Sequence, residues 1–121
     1  MYEIVFYKDS RGREPVKEFL SELEKQADTN KDARIQLEKI LAHLDALSEK
    51  GTRAGEAVTK HIDGDIWELR PVRNRILYFF WKNNTFVLLH HFVKRTQKTP
   101  TREISRAKHN MEDFLERVDD R

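Results

Sequence analysis

The chain contains no cysteine, which excludes disulfide scaffolds, thiolate zinc sites and cysteine nucleophiles. Glycine and proline are scarce, four and three in 121 residues, so long flexible linkers are not expected. The glycines, at 12, 51, 55 and 64, fit neither GxGxxG nor a Walker loop, and a G-x-S-x-G nucleophile elbow is missing. No HExxH pattern or compact carboxylate cluster occurs, so neither a metal nor a cofactor is expected. No apolar run reaches membrane-spanning length, and "MYEIVFYKDS" is charged too early for a signal peptide. A single cytoplasmic domain over residues 1–121, with no membrane partner, is the expectation.

Acidic residues are missing from one long stretch, "RNRILYFFWKNNTFVLLHHFVKRTQKTP" (Arg73–Pro100), although the chain as a whole is nearly balanced at 23 basic and 21 acidic side chains. Residues 1–66 carry 11 basic and 14 acidic groups, a net of −3; residues 67–110 carry 10 and 2, a net of +8; residues 111–121 carry 2 and 5, again −3. A cationic block inside an acidic chain suits nucleic acid or an acidic partner protein.

The apolar patterning predicts mixed α and β structure. "YEIVFY" reads as a strand. Pro15 suits the first turn of a helix carrying Val16, Phe19, Leu20 and Leu23. Asp28, Thr29 or Asn30 caps a second helix with a stripe from Ala33 to Leu47, stopped by Gly51. "VTKHIDGDIWELRP" reads as a hairpin turning at Asp63-Gly64, and "RNRILYFFWKNNTFVLLHHFVKR" as another turning at Asn83-Asn84. Thr99 as cap and Pro100 in the first turn open a last helix, whose acidic end "ERVDDR" is expected to fray. The implied fold class is α+β: an antiparallel sheet of about four strands, an N-terminal helix pair and a C-terminal helix, with the helices on one sheet face.

Strand alternation sorts the charged residues. Arg73 and Arg75 share a face opposite Ile76, and Arg70 joins them from the neighbouring strand. With Lys94, Arg95 and Lys98 they are placed around one uncovered concave surface suited to phosphate oxygens. The plainer alternative pairs Arg70 with Glu68 and leaves the others as solvated edge residues. His90 and His91 are adjacent and point to opposite faces, so one meets the basic patch and the other the core or a helix. His43, His61 and His109 read as ordinary surface or partly buried residues.

The segment "WELRPVRNRILYFFWKNNTFVLLHHFVKRTQKTPTREISRAKHNMEDFL" resembles the HigB-like branch of the RelE/ParE toxin superfamily, including its phage-derived members. The W-E-L-R strand, the R-x-x-Y-F strand, "FVKRTQKTP" and the E-I-x-x-A-K helix follow in that order, across roughly residues 65–115. The resemblance implies a RelE-like fold and the toxin of a type II toxin–antitoxin system, neutralised by a HigA-like helix-turn-helix antitoxin and meeting operator DNA only through it. The implied activity is ribosome-dependent, metal-independent cleavage of mRNA. Arg73, Arg75, Lys94 and His91 are then the expected catalytic residues, and Arg70, Arg95 and Lys98 the expected RNA contacts. The chain departs from several RelE proteins in having no tyrosine after Tyr78, which vacates a C-terminal catalytic position. Two alternatives are a ParE-like gyrase inhibitor and a non-enzymatic nucleic-acid or protein-binding module, since fold alone does not fix activity.

Overall fold

The computed structural model of the chain describes residues 1–118. Along the chain lie β1 (Glu3–Phe6), α1 (Pro15–Ala27), α2 (Lys31–Lys50), a 3₁₀ turn (Gly51–Ala54), β2 (Thr59–Asp63), β3 (Ile66–Leu69), β4 (Asn74–Phe80), β5 (Thr85–Val93) and α3 (Thr101–Val118). The α+β expectation holds. Of the end expected to fray, Glu116–Val118 belong to α3, and 119–121 lie outside the described residues.

Local chemistry explains most boundaries. Pro15 occupies the start of α1, where its missing amide hydrogen has no intrahelical partner to lose. Asn30 caps α2, its Oδ1 accepting from the Ala33 amide at 3.0 Å. Gly51 ends α2 at φ 62°, and a Cβ there would come within 2.9 Å of the Tyr2 ring, so the stop and the close approach both require glycine. Asn83 and Asn84 both adopt positive φ, 53° and 57°, as a tight hairpin needs. Pro100 behaves differently from expectation. Its carbonyl accepts from the Glu103 and Ile104 amides, placing it just before α3, while Thr99 spends its hydroxyl elsewhere, as described below.

The sheet has five strands in the order β1-β5-β4-β3-β2, and it is mixed: β1 runs parallel to β5, pairing Ile4 with Phe86 and Phe6 with Leu88. The expected sheet of about four strands, all antiparallel, is thus corrected to five strands with one parallel pair; the two expected hairpins are β2–β3 and β4–β5, both antiparallel. β1 is separated from them by two helices, so no turn signal announces its partner or direction.

Both sheet faces are covered. On one, Ile76, Tyr78, Phe86, Leu88 and Leu69 pack with Val16, Leu23, Ile40 and Leu47 of the helix pair. On the other, Ile66, Leu77, Phe79, Val87, Leu89 and Phe92 pack with Ala107 and, at the margin, Met111, Phe114 and Leu115 of α3. This corrects the expected uncovered face: the apolar stripe of α3 needs a partner surface, and the helix pair has already taken the first one. What remains accessible beyond α3 is the end of the sheet where β3 stops, β4 starts and β5 stops.

Candidate functional site: a cationic cleft at the strand ends

Glu68 organises that end. It lies on the α3 side of β3, paired with Leu77 on β4 and with Lys60 across the edge hairpin, and it is 3% exposed. Its Oε2 accepts from the Thr99 hydroxyl at 2.7 Å. Its Oε1 is 3.8 Å from the Nε atoms of both Arg70 and Arg75. These are ion pairs beyond hydrogen-bonding distance, and neither buried Nε has a hydrogen-bond partner among the described residues. Thr99 therefore ties the loop before α3 to the sheet through a buried carboxylate, which is why it does not cap the helix.

Around this carboxylate opens a cleft of about 270 Å³, lined by Lys60, Arg70, Lys94, Lys98, Thr99 and Glu68, with His61, Ile62, Gln97 and Ile104 completing the wall. Three lysines, Lys60, Lys94 and Lys98, thus join Arg70 around a carboxylate that Arg70 and the buried Arg75 already engage. The excess positive charge faces solvent, as an anion-binding site requires. The Arg70 guanidinium is steadied by donating Nη1–H to the Glu56 carbonyl at 3.0 Å. Lys94 is fixed at the backbone, its amide donating to the Arg73 carbonyl at 2.8 Å.

The expected residues separate into three groups. Arg70, Lys94 and Lys98 meet in the cleft. The ion pair of Arg70 with Glu68, the plainer reading of that arginine, also exists, so Arg70 has both roles. Arg73 lies in the exposed turn before β4 and not on the strand, so it flanks the cleft through its backbone. Arg95 lines neighbouring cavities formed by the Lys94–Pro100 loop and the start of α3 instead. Arg75 is on the expected face but buried, 6% exposed, beside the Glu68 carboxylate that also holds Thr99. Its Nη1 donates to the Val72 carbonyl at 2.7 Å and the Asn74 carbonyl at 2.9 Å. Burial pushes its pKa below the usual arginine value; the Glu68 charge opposes this and the Arg70 charge adds to it. A guanidinium so tied is a strut of the cleft rather than its surface.

His91 corrects the sequence reading most directly. It pairs with Ile76 on the helix-pair face, away from the Glu68 side. Its ring stacks on Phe19 of α1 at 3.5 Å, and its Nε2 lies 2.9 Å from Asn74 Oδ1. Asn74 in turn donates to Gln36 of α2 at 3.0 Å, so its oxygen is the accepting end and Nε2 of His91 carries the proton. Burial, helped by nearby His90 and opposed by Glu103, pushes the His91 pKa down to about 4. It is a neutral structural imidazole and not a proton carrier for the cleft. His90, on the α3 side, is held 2.6 Å from Glu103 Oε1 and lines a separate groove with Tyr7, Arg106 and Asp113. Lys60, Glu68 and Thr99 were not singled out from sequence as site residues. The signal for Lys60 was its register opposite Glu68, which a bulge near His61 obscured.

The His91 environment makes a pH prediction. Its native pKa lies below the unfolded value, so its contribution to stability is complete above pH 6.5 and declines as pH falls towards 4. The loss by pH 4 is about 3 kcal/mol, from 1.4 kcal/mol per pKa unit. His91→Gln keeps a hydrogen-bonding side chain without titrating. Urea denaturation at pH 7 and pH 4.5 is expected to show a smaller acid loss for the variant than for the wild type. Identical losses would refute the assignment.

Among the described residues no three His, Asp or Glu side chains gather as a metal site, and no helix is long and apolar enough to cross a membrane.

Fold and cleft together define a small α+β protein whose mixed sheet carries a helix pair on one face, a C-terminal helix on the other and a cationic cleft at the strand ends. A family profile described as Phage derived protein Gp49-like (DUF891) matches residues 18–112, and the chain belongs to that family. The Gp49-like proteins are a RelE/HigB-like toxin family associated with toxin–antitoxin systems, which implies an antitoxin as partner. No curated protein matches the chain.

Proposed function

We propose that this protein is a ribosome-dependent mRNA endoribonuclease that inhibits translation and is neutralised by a HigA-like helix-turn-helix antitoxin. The observation that carries the proposal is the convergence of Lys60, Arg70, Lys94 and Lys98 around a buried, already engaged carboxylate. A cleft built this way has charge to spare for a phosphodiester.

RNA supplies its own nucleophile. A base removes the 2′-hydroxyl proton, and the oxygen attacks the adjacent phosphorus. The bond to the 5′-oxygen breaks, and an acid protonates that oxygen as it leaves. Negative charge accumulates on the non-bridging oxygens, where fixed cations lower the barrier. In this proposal Arg70 and Lys94 hold those oxygens, Lys60 and Lys98 hold flanking phosphates, and Arg75 acts from behind by bracing Glu68 and the turn at Val72. Arg95 and Arg73 contact RNA or ribosome outside the cleft. Side-chain cations supply the charge stabilisation, so a metal is not required for the chemical step.

The test is the chemistry of the cut ends. mRNA cleaved on ribosomes by the purified protein is expected to end in a 2′,3′-cyclic phosphate or 3′-phosphate upstream and a 5′-hydroxyl downstream. Ends bearing 5′-phosphate would overturn the metal-free route. Pulse labelling after induction is expected to show protein synthesis falling before DNA synthesis. The opposite order, with intact mRNA, would assign the protein to gyrase instead.

A further inference from the structure

Beside the cleft lies a second cavity of about 750 Å³, within the range of about 300–1,000 Å³ usual for ligand sites. Gln97, Lys98 and Thr99 line both, so the two share a wall. Their chemistry differs. The second cavity sets an apolar patch of Phe92, Val93 and Pro100 beside the cations Arg95, Lys98 and Arg102. Val93 is 43% exposed and belongs to neither core cluster, so the fold leaves this apolar surface open. Glu103, the carboxylate of the wall, is already held by His90 at 2.6 Å and by Arg102 at 3.6 Å. Arg95 and Lys98 remain as surplus charge. Apolar surface beside surplus cations suits a nucleotide, which has an unstacked base with an apolar face next to an anionic phosphate. A phosphate alone would use only half of it.

Gln97 stands where the cavities meet. It lines this one, the cleft and a third hollow beside Arg95. The loop that carries it is pinned on both sides: the Thr96 hydroxyl donates to the Lys98 carbonyl at 2.7 Å, and the Thr99 hydroxyl to Glu68 at 2.7 Å. The Gln97 carboxamide itself has no hydrogen-bond partner among the described residues. It offers an N–H donor and an oxygen acceptor side by side in one plane, the complement of adenine's N7 acceptor and N6 amino donor. We infer that the second cavity is a nucleobase subsite: the base next to the scissile phosphate lies against Val93 and Pro100, Arg95 holds its outer phosphate, and Gln97 reads its edge and selects adenine. The inference rests on the ribosome-dependent RNA reading of the cleft and adds a sequence preference to it.

The experiment maps cut sites across a mixed mRNA population on translating ribosomes treated with purified wild type, Gln97→Ala or Gln97→Glu. Wild type is expected to cut beside adenine about tenfold more often than beside other bases, the order of discrimination from one bidentate contact. That excess is expected to disappear in Gln97→Ala. Losing one base contact changes the ratio between bases, whereas a general defect of the fold lowers all cuts together. Gln97→Glu keeps the size of the side chain but cannot donate to N7, and is expected to lose the excess as well. Retention of the wild-type distribution in either variant would overturn the subsite and leave the cleft standing. So would a wild type that cuts without regard to base, or that prefers a base other than adenine. A wild type that cuts no mRNA on ribosomes removes the RNA reading, and the inference with it.

Discussion

Replacing Glu68 with alanine is expected to destabilise the fold by about 3–5 kcal/mol, the range for removing one partner from a buried ion pair. The carboxylate is 3% exposed and serves three groups at once: the Thr99 hydroxyl and the guanidiniums of Arg70 and Arg75. Arg70 can turn outwards, because its side chain is a quarter exposed. Arg75 cannot, because its side chain is buried and its Nη1 is tied to the Val72 and Asn74 carbonyls. The variant thus buries a cation with no counter-charge and releases the loop before α3. The melting temperature should fall by roughly 10–20 °C for a domain of this size. Exchanging both Glu68 and Arg75 for methionine should recover most of the loss, since apolar packing often replaces a buried ion pair without penalty. Denaturant titration of the two variants separates the cases. A loss below about 1 kcal/mol in Glu68→Ala, at the surface-pair level, would show that the carboxylate is not the anchor of this end of the sheet.

That anchor also explains what the sequence did and did not disclose. Alternation placed Arg73 and Arg75 on one face of the sheet, with Arg70 beside them, and His90 and His91 on opposite faces; the register agrees for Arg75 and the two histidines, while Arg73 lies in the turn before β4. The Asn83-Asn84 turn and the stop at Gly51 were legible because each depends on a few adjacent residues, and the cap of α2 was narrowed to Asp28, Thr29 or Asn30; the first hairpin turns one residue later than expected, at Gly64-Asp65, with Asp63 still in β2. Three features were not. The partner of β1 is 82 residues away in sequence, with Ile4 beside Phe86. The face taken by α3 depends on where the first two helices had packed. Thr99 has the chemistry of a helix cap but is claimed by a carboxylate 31 residues earlier. Missing the α3 contact made Arg75 look like an open cation, and missing the Ile76–His91 register left His91 free to be assigned to the patch. Once both faces are covered, Arg75 becomes a buried strut and His91 a neutral ring under Phe19.

Those reassignments determine which substitutions should silence the protein. Arg70→Ala and Lys94→Ala are each expected to reduce ribosome-dependent cleavage by about 10²–10³-fold, the usual effect of removing one preorganised donor from a developing anion. The two act on one phosphate in this proposal, so the double variant should lose less than the product of the single losses. Neither residue belongs to an apolar core cluster, so thermal melting should move far less than in Glu68→Ala. Arg95→Ala is the informative contrast, because Arg95 is outside the cleft. If it meets RNA, its loss should weaken binding and reduce the salt dependence by about 0.7 in log–log slope, as for one phosphate contact on a single strand, while the cleavage rate at saturation stays near wild type. His91→Gln should also cut at a near-normal rate at pH 7, since its ring lies on the other side of the sheet. Single-turnover cleavage of mRNA on stalled ribosomes, read beside melting curves, distinguishes these outcomes. Full activity in a folded Arg70→Ala/Lys94→Ala variant would remove the cleft from the chemistry. A rate loss in Arg95→Ala equal to that in Lys94→Ala would move the reacting phosphate out of the cleft and onto the loop that precedes α3.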